Sequence, residues 1–169
     1  KKALRYVKTG SIIALNSGTT NTILAQELAA RSDSFTVVTN NLAAITILMQ
    51  NPSIHLIAVG GNVDGVERSS YGTECEKAME RYYPDVAFLS INAINYRDGF
   101  TDFRFSEIGI IQILAEKAKE VIAVMDSSKI GKRSRAKALS LQQVDRIISD
   151  DAVSDAVKEQ YRKYGLLIE

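Results

Sequence analysis

The residues best suited to chemistry form a short polar run near the start of the chain, Asn16-Ser17-Gly18-Thr19-Thr20. The run lies between an apolar segment typical of a strand and an amphipathic segment with helical period. The first N–H groups of a helix lack intrahelical partners, and together with the helix dipole they form a site for an anion. Gly18 lets the backbone come close to such an anion, and the hydroxyls add donors. The pattern predicts a phosphate site, and a simple helix cap from Ser17 or Thr19 is the alternative that this motif alone leaves open.

Small and hydrogen-bonding residues also follow the other predicted strands. Ligands bind beyond the carboxyl ends of strands in open α/β sheets, and a hydroxylated, phosphorylated molecule needs both donors and acceptors there. Lys129 is the best cation for its phosphate. Glu107, at the start of an apolar helix, either approaches this pocket or only stabilises the helix dipole. The predicted ligand-binding residues are Asn16, Ser17, Gly18, Thr19, Thr20, Thr39, Asn40, Gly60, Gly61, Ser90, Asn92, Gly99, Glu107 and Lys129.

The chain has few residues that could form a metal site, a disulfide or a nucleotide site. A single cysteine, Cys75, and a single histidine, His55, cannot build a four-ligand zinc site or an internal disulfide, and we expect a core thiol and an ordinary loop or edge histidine. Gly131-Lys132 fails the phosphate-loop pattern because Asp126 stands at the first glycine position and Arg133 follows the lysine. We therefore expect no metal and no nucleotide or redox cofactor.

An α/β architecture has to position the polar residues. Short apolar runs alternate with segments of helical period, which is typical of parallel strands joined by crossover helices. The predicted strands are residues 11–15, 35–39, 55–59, 86–90, 121–125 and 146–149. The predicted helices are residues 20–31, 42–50, 73–82, 108–119 and 154–163. Residues 60–72 are rich in glycine and polar side chains and are predicted to form a flap or small hairpin.

Composition narrows the class of protein further. A chain of 169 residues with 46% hydrophobic and 24% charged residues fits one globular domain. With 21 Lys+Arg against 20 Asp+Glu the net charge is +1, which gives no basic field able to hold DNA by this segment alone. The local basic run of residues 132–137 is interpreted as a solvated loop. No apolar stretch is long enough for a membrane span and no signal segment opens the chain, so we expect a cytoplasmic protein.

Several motifs occur in an order that resembles a known family. They are Asn16-Ser17-Gly18-Thr19-Thr20, Thr39-Asn40, Gly60-Gly61, Gly72, Gly99-Phe100-Thr101 and Asp126-Ser127-Ser128-Lys129-Ile130-Gly131. Together they resemble the effector-binding domain of DeoR-family bacterial transcription regulators. The resemblance implies a Rossmann-like, mostly parallel sheet with helices on both faces, similar to ribose-5-phosphate isomerase, and a pocket for a sugar phosphate. It also implies that residues 1–169 are the effector-binding domain and that a winged helix-turn-helix, expected upstream, binds DNA.

The resemblance assigns roles to individual residues. Residues 17–20 match the phosphate loop of the family, Asn40 and Gly61 match the pocket wall, and Lys129 matches the lysine near the phosphate. The sequence departs from the family at three places. Asn16 stands where aspartate is usual, residues 92–95 replace a segment richer in glycine and aspartate, and Ile111 occupies a position that is often lysine.

These observations lead to two functional hypotheses of different class, and a third is less favoured. The first is a sensor, in which a phosphorylated sugar alters the operator affinity of a regulator, most simply a repressor, that acts as a homo-oligomer. The second is an aldose-ketose phosphate isomerase, which needs a base beside the substrate carbonyl. Asn92 and Asn95 cannot act as bases, which leaves Asp98, Asp102 and Glu107 for that role. The third is a purely structural assembly module.

Overall fold

The computed structural model describes residues 1–169, which form twelve strands and five α-helices, numbered here in chain order. The strands are β1 Ile12–Leu15, β2 Phe35–Thr39, β3 Ile54–Ala58, β4 Asn62–Asp64, β5 Ser69–Tyr71, β6 Val86–Ser90, β7 Ala93–Asn95, β8 Gly99–Asp102, β9 Glu120–Val124, β10 Ala136–Leu139, β11 Arg146–Ile148 and β12 Leu167–Ile168. The helices are α1 Thr19–Ala29, α2 Leu42–Leu48, α3 Thr73–Met79, α4 Phe105–Lys117 and α5 Asp155–Arg162. Short 3-10 turns span Lys2–Tyr6, Ser127–Lys129 and Leu141–Gln143.

Seven strands form one parallel sheet in the order β12-β11-β9-β6-β1-β2-β3. The chain winds from β1 toward β3 and then continues from β6 toward β12 on the other side of β1. The direction of winding therefore reverses between β1 and β6. In sheets of this kind the reversal opens a crevice at the carboxyl ends of the two strands, where ligands bind.

The parallel sheet is covered on both faces. Successive strand residues point to opposite faces, so Ile13 and Leu15 join one core cluster while Ala14 joins the other. The first cluster packs under α1, α2 and the turn Lys2–Tyr6, and the second lies on the side of α3, α4 and α5. Burial on both faces explains why these strands are apolar at consecutive positions.

Two small antiparallel sheets complete the fold. β4 and β5 form a hairpin, and β10, β8 and β7 form a three-stranded sheet. The three-stranded sheet joins the main body through Ile94 and Phe100, both fully buried in the second core cluster. No helix of the protein combines the length and apolar character needed to cross a membrane.

The main predictions of the fold are confirmed. All six predicted strands form, with shifts of one residue at most, and the hairpin lies within the predicted excursion of residues 60–72. The five predicted helices also form, and each ends one to three residues earlier than predicted. Cys75 is a fully buried core residue and His55 is an exposed residue of the edge strand β3. The sequence analysis missed β12 and the three-stranded sheet, because strands of two to four residues are too short to show a period.

Candidate functional site

The candidate site lies where β1 and β6 end side by side. Asn16 and Ser17 leave β1, and Ile91 and Asn92 leave β6. Asn16 fastens the two ends together, because its Oδ1 accepts from the Ser90 N–H at 2.7 Å and its Nδ2 donates to the Ser90 carbonyl at 3.0 Å. An aspartate could accept from the amide but could not donate to the carbonyl. The departure from the family at Asn16 thus supplies a donor that this strand pair uses.

The turn after Ser17 brings the first turn of α1 into the crevice. Gly18 has φ of 131°, and a Cβ there would lie 2.4 Å from Ser90 Oγ. The position therefore requires glycine for both conformation and space. The first intrahelical bond is donated by Thr22 to the Gly18 carbonyl. The N–H groups of Thr19 and Thr20 precede that bond, which leaves them free to bind an anion.

Two cavities meet at this helix terminus. The smaller one, about 100 Å³, is lined by Gly18, Thr19, Glu67, Ser90, Ile91, Asn92, Phe103, Arg104 and Lys129. The larger one is a groove of about 710 Å³ on the other side of α1. Its lining residues are Lys1, Lys2, Ala3, Thr19, Thr20, Ile23, Leu24, Glu27, Val124, Met125, Asp126, Lys129, Ile148, Ser149, Asp150 and Asp151. Thr19 and Lys129 line both cavities, so a ligand at the helix terminus can extend into either one.

Arg104 closes the inner wall of the smaller cavity. It lies just before α4 and is only 8% exposed. Its Nε and Nη2 donate to the two carboxylate oxygens of Asp102 at 2.9 and 2.7 Å, which forms a bidentate ion pair. Nη1 donates to the carbonyl and Oγ of Ser17 at 3.0 and 3.2 Å, and Nη2 also donates to the Ser90 carbonyl at 2.9 Å. All five N–H groups of Arg104 are therefore occupied by the protein itself.

Glu107 lies behind the phosphate loop and is fully buried. Its Oε1 accepts from Asn40 Nδ2 at 2.6 Å, and its Oε2 accepts from Asn16 Nδ2 and the Ser17 N–H, each at 3.2 Å. Burial raises the pKa of Glu107 above its ordinary value, and the opposing effects of Arg104 and of the hydrogen bonds from Asn40 and Ser17 do not cancel it. One predicted amide donor of the anion site, the Ser17 N–H, is thus already bound to Glu107.

Buried polar atoms without hydrogen-bond partners lie near the carboxyl ends of the parallel strands. Four buried side-chain atoms have no hydrogen-bond partner in the protein: Asn21 Oδ1, Asn40 Oδ1, Ser69 Oγ and Ser149 Oγ. Asn21 is in the first turn of α1, Asn40 follows β2, Ser69 bridges to Asn41, and Ser149 follows β11. Buried polar atoms are normally paired. Of the four residues only Ser149 lines one of the two cavities, so Asn21, Asn40 and Ser69 keep their unpaired atoms away from a ligand in either cavity.

The structure divides the predicted ligand-binding residues into three groups. Those that line the two cavities are Gly18, Thr19, Thr20, Ser90, Asn92 and Lys129. Those that lie in the buried network behind the cavities are Asn16, Ser17, Thr39, Asn40 and Glu107. Those that line neither cavity are Gly60, Gly61 and Gly99.

The three glycines outside the cavities have other surroundings, and their role in ligand binding stays a prediction. Gly61 approaches the Tyr71 carbonyl and Cys75, where a Cβ would lie 2.6 and 2.8 Å away. Gly99 begins β8, and a Cβ there would lie 2.5 Å from the Leu139 carbonyl. Both positions serve close packing between segments. Gly60 is exposed just after β3, and a Cβ there would meet no atom within 4 Å, so nothing in the structure links it to a ligand.

Several residues of the site were missed by the sequence analysis. Arg104 and Glu67 line the smaller cavity, and Asp102, which the sequence analysis considered only as a base, is the ion-pair partner of Arg104. The spacing Asp102-x-Arg104 just before an apolar helix was a signal for a buried ion pair. Ile111, the third departure from the family, is fully buried in the second core cluster. No group of three or more His, Cys, Asp or Glu side chains is placed to hold a metal ion.

The fold and the site together define a Rossmann-like α/β domain in which the open N-terminus of α1 lies at the switch point of the sheet. Residues 1–151 match the family described as the DeoR C terminal sensor domain. The chain belongs to this family.

Relatives and a solved structure agree with this assignment. The chain is 29% identical over 166 residues to the HTH-type transcriptional regulator GolR of Listeria innocua, covering 98% of this chain and 65% of the relative. It is 26% identical over 167 residues to the HTH-type transcriptional regulator GlpR of Haloferax volcanii, covering 99% of this chain and 65% of the relative. A crystal structure of ribose 5 phosphate isomerase A from Neisseria gonorrhoeae shares the fold with a TM-score of 0.56 and 13% identity, covering 78% of this chain and 51% of that one. The chain thus spans about two thirds of these regulators.

Substitution of Gly18 tests the conformation of the loop. We expect Gly18→Ala to lower the free energy of unfolding by about 1–3 kcal/mol and to abolish anion binding, because the added Cβ meets Ser90 and the positive φ is strained. Urea denaturation and phosphate titration measure the two effects. Gly10→Ala is the matched control, since Gly10 has φ of 77° and open space around it. Equal losses for the two variants would show that contact with Ser90 is unimportant.

Removal of Arg104 tests the buried ion pair. We expect Arg104→Met to cost about 3–5 kcal/mol of stability, because Asp102 is left buried without a counter-charge. Combining it with Asp102→Leu should recover part of that loss, as a double-mutant cycle in urea denaturation would show. Arg162→Met removes an exposed ion pair with Glu159 and should change stability by less than about 1 kcal/mol. A cost for Arg104→Met as small as that of the control contradicts the assignment.

The raised pKa of the buried Glu107 carboxyl predicts that the stability of the protein depends on pH. Because its pKa is raised in the folded protein, the folded state holds this proton more tightly than the unfolded state does. Its contribution to stability is fully present below the ordinary glutamate pKa and is lost as the pH rises through the raised value. The difference in unfolding free energy between the wild type and Glu107→Gln should therefore shift against the wild type as pH increases. Urea denaturation of both proteins over a range of pH measures this difference, and a difference that does not change with pH contradicts the prediction.

Proposed function

We propose that this chain is the ligand-sensing domain of a transcriptional regulator and that its ligand is a phosphorylated sugar. The observation that carries the proposal is the free amide terminus of α1, which opens beside Thr19 and Lys129 at the point where the two cavities meet. Such a terminus favours a phosphate through its N–H groups and its dipole. The membership in a sensor-domain family supports the same class of function.

The charges of the larger groove suit a ligand with both phosphate and hydroxyl groups. Lys129 is only loosely paired, with its Nζ 3.7 Å from Asp126, so it is available to a phosphate. Asp126 keeps a lowered pKa through its hydrogen bond from Ser128 and therefore remains an ionised acceptor. Asp150 also lines the groove. Carboxylates of this kind accept hydrogen bonds from ligand hydroxyls, whereas the cations and amides hold the phosphate.

The groove offers a route from ligand to DNA affinity. Lys1, Lys2 and Ala3 form part of its wall, and Lys2 Nζ binds Asp151 at 2.6 Å beside Ser149. A ligand in the groove therefore contacts the segment that leads to the DNA-binding module proposed upstream. Any change in operator affinity must be matched by an equal change in ligand affinity when operator is bound. We also propose that the whole regulator is a homo-oligomer, since symmetric operators favour symmetric proteins.

The positions and hydrogen bonds of the three candidate base carboxylates do not favour the isomerase alternative. Both carboxylate oxygens of Asp102 accept hydrogen bonds from Arg104. Glu107 is enclosed by three N–H donors and does not line either cavity. Asp98 lies in the turn between β7 and β8 and accepts from Asn95 at 2.8 Å. None of the three is placed as a free base at the crevice.

Ligand titration tests the proposed function. We expect a panel of pentose, hexose and ketose phosphates to raise the thermal midpoint of the chain, with Kd values measured by calorimetry. Lys129→Ala and Thr19→Val should each weaken binding, by about 10- to 100-fold for the lysine because a charge-assisted hydrogen bond is lost. Lys132→Ala is the matched control, since Lys132 is exposed and lies outside both cavities. Absence of any response to sugar phosphates and to inorganic phosphate would refute the proposal.

A further inference from the structure

The hairpin of β4 and β5 carries one carboxylate to the smaller cavity. Glu67 lies in the turn between the two strands and is part of the cavity lining. Asp64 Oδ1 holds the turn by accepting from the N–H groups of Val66 and Glu67 at 2.9 and 3.0 Å. The hairpin is tied to the sheet by the Leu42 N–H, which donates to the Arg68 carbonyl at 2.9 Å. The backbone at Glu67 is thus held on both sides, and the half-buried side chain reaches the cavity from it.

The Glu67 carboxylate has no partner within the protein. It makes neither a hydrogen bond nor a salt bridge, although it lies close enough to Arg104 to raise the pKa of that guanidinium together with Asp102 and Glu107. Arg104 cannot bind it because all five of its N–H groups are occupied. The hydroxyl of Ser90 and the side chain of Asn92, which face the same cavity, are also without partners. Besides Thr19 and Lys129, the free groups of this cavity are therefore an acceptor carboxylate, a hydroxyl and an amide.

The size of this cavity limits what it can hold. A volume of about 100 Å³ is roughly that of three water molecules in the liquid. A cavity of this size takes one end of a ligand, and the rest of the ligand extends into the larger groove. The phosphate lies between the two, at Thr19 and Lys129, which line both cavities.

From this arrangement we infer that the Glu67 carboxylate accepts hydrogen bonds from two adjacent hydroxyl groups of the ligand. The effector class is then a phosphorylated sugar or polyol with a neutral diol end. The two oxygens of a carboxylate accept from two neighbouring O–H groups. A phosphorylated sugar acid would place its own carboxylate against Glu67, and the cavity has no uncommitted cation for it other than Lys129, which serves the phosphate. This inference rests on the proposed phosphate site at α1 and adds the selectivity of the other end.

The test compares sugar phosphates with inorganic phosphate by calorimetry on the 169-residue chain and on Glu67→Ala and Glu67→Gln. In the wild type the neutral sugar phosphate that binds best should bind at least about 10-fold more tightly than inorganic phosphate, as expected for hydrogen bonds to a charged group. Both variants should lose most of this preference, while inorganic phosphate binds as well as before or better because a negative charge has been removed. Glu74→Gln, on an exposed part of α3, is the matched control and should retain the preference.

Deoxy and acid analogues sharpen the test. Removal of one of the two adjacent hydroxyls should weaken binding to the wild type by about 10-fold and leave binding to Glu67→Ala nearly unchanged. Phosphorylated sugar acids should bind the wild type more weakly than their neutral counterparts, and Glu67→Ala should reduce that difference. An unchanged sugar preference in Glu67→Ala overturns the role of Glu67 while the phosphate site stands. If the wild-type protein does not bind even inorganic phosphate, the result refutes the proposed phosphate site at α1 and not the role of Glu67.

Discussion

The guanidinium of Arg104 holds the site together, because a parallel sheet by itself gives no bond between the chain segments that leave neighbouring strands. Its five N–H groups reach Ser17 after β1, Ser90 at the end of β6 and Asp102 at the end of β8. A guanidinium supplies such a fan of donors in one rigid plane, which a lysine ammonium does not. Burial of this charge is tolerated only because Asp102 pairs with it in bidentate geometry.

Around this interaction the polar residues of the carboxyl edge separate into two layers. The inner layer contains Asn16, Asn40 and Glu107, which are buried and bind one another. The outer layer contains Thr19 and Lys129, which line the cavities. The inner layer fixes the backbone of the segments that carry the outer layer to the cavities.

The parallel sheet was predictable because it is covered on both faces, which forces consecutive apolar residues in each strand. Ile13, Ala14 and Leu15 are all buried and give β1 its clear signal. The three-stranded sheet carries no such signal. Its strands are short and place polar residues such as Asn95, Asp102 and Lys137 among the apolar ones, and β10 pairs with a strand distant in the chain. Local periodicity does not report contacts of that kind.

For the site, the sequence by itself determined the unpaired amides at the start of α1, because a Gly-Thr-Thr turn between a strand and a helix leaves the first N–H groups of the helix without intrahelical partners. It also determined that polar residues follow several parallel strands, as at Thr39 and Ser90. Only the tertiary structure decided which of these side chains line a cavity and which form hydrogen bonds between the strand ends. Asn16 and Asn92 are both amides near strand ends, yet one bridges β1 and β6 and the other lines a cavity. The reason is that a hydrogen bond depends on distance and direction between segments far apart in the chain, and composition at a strand end carries neither.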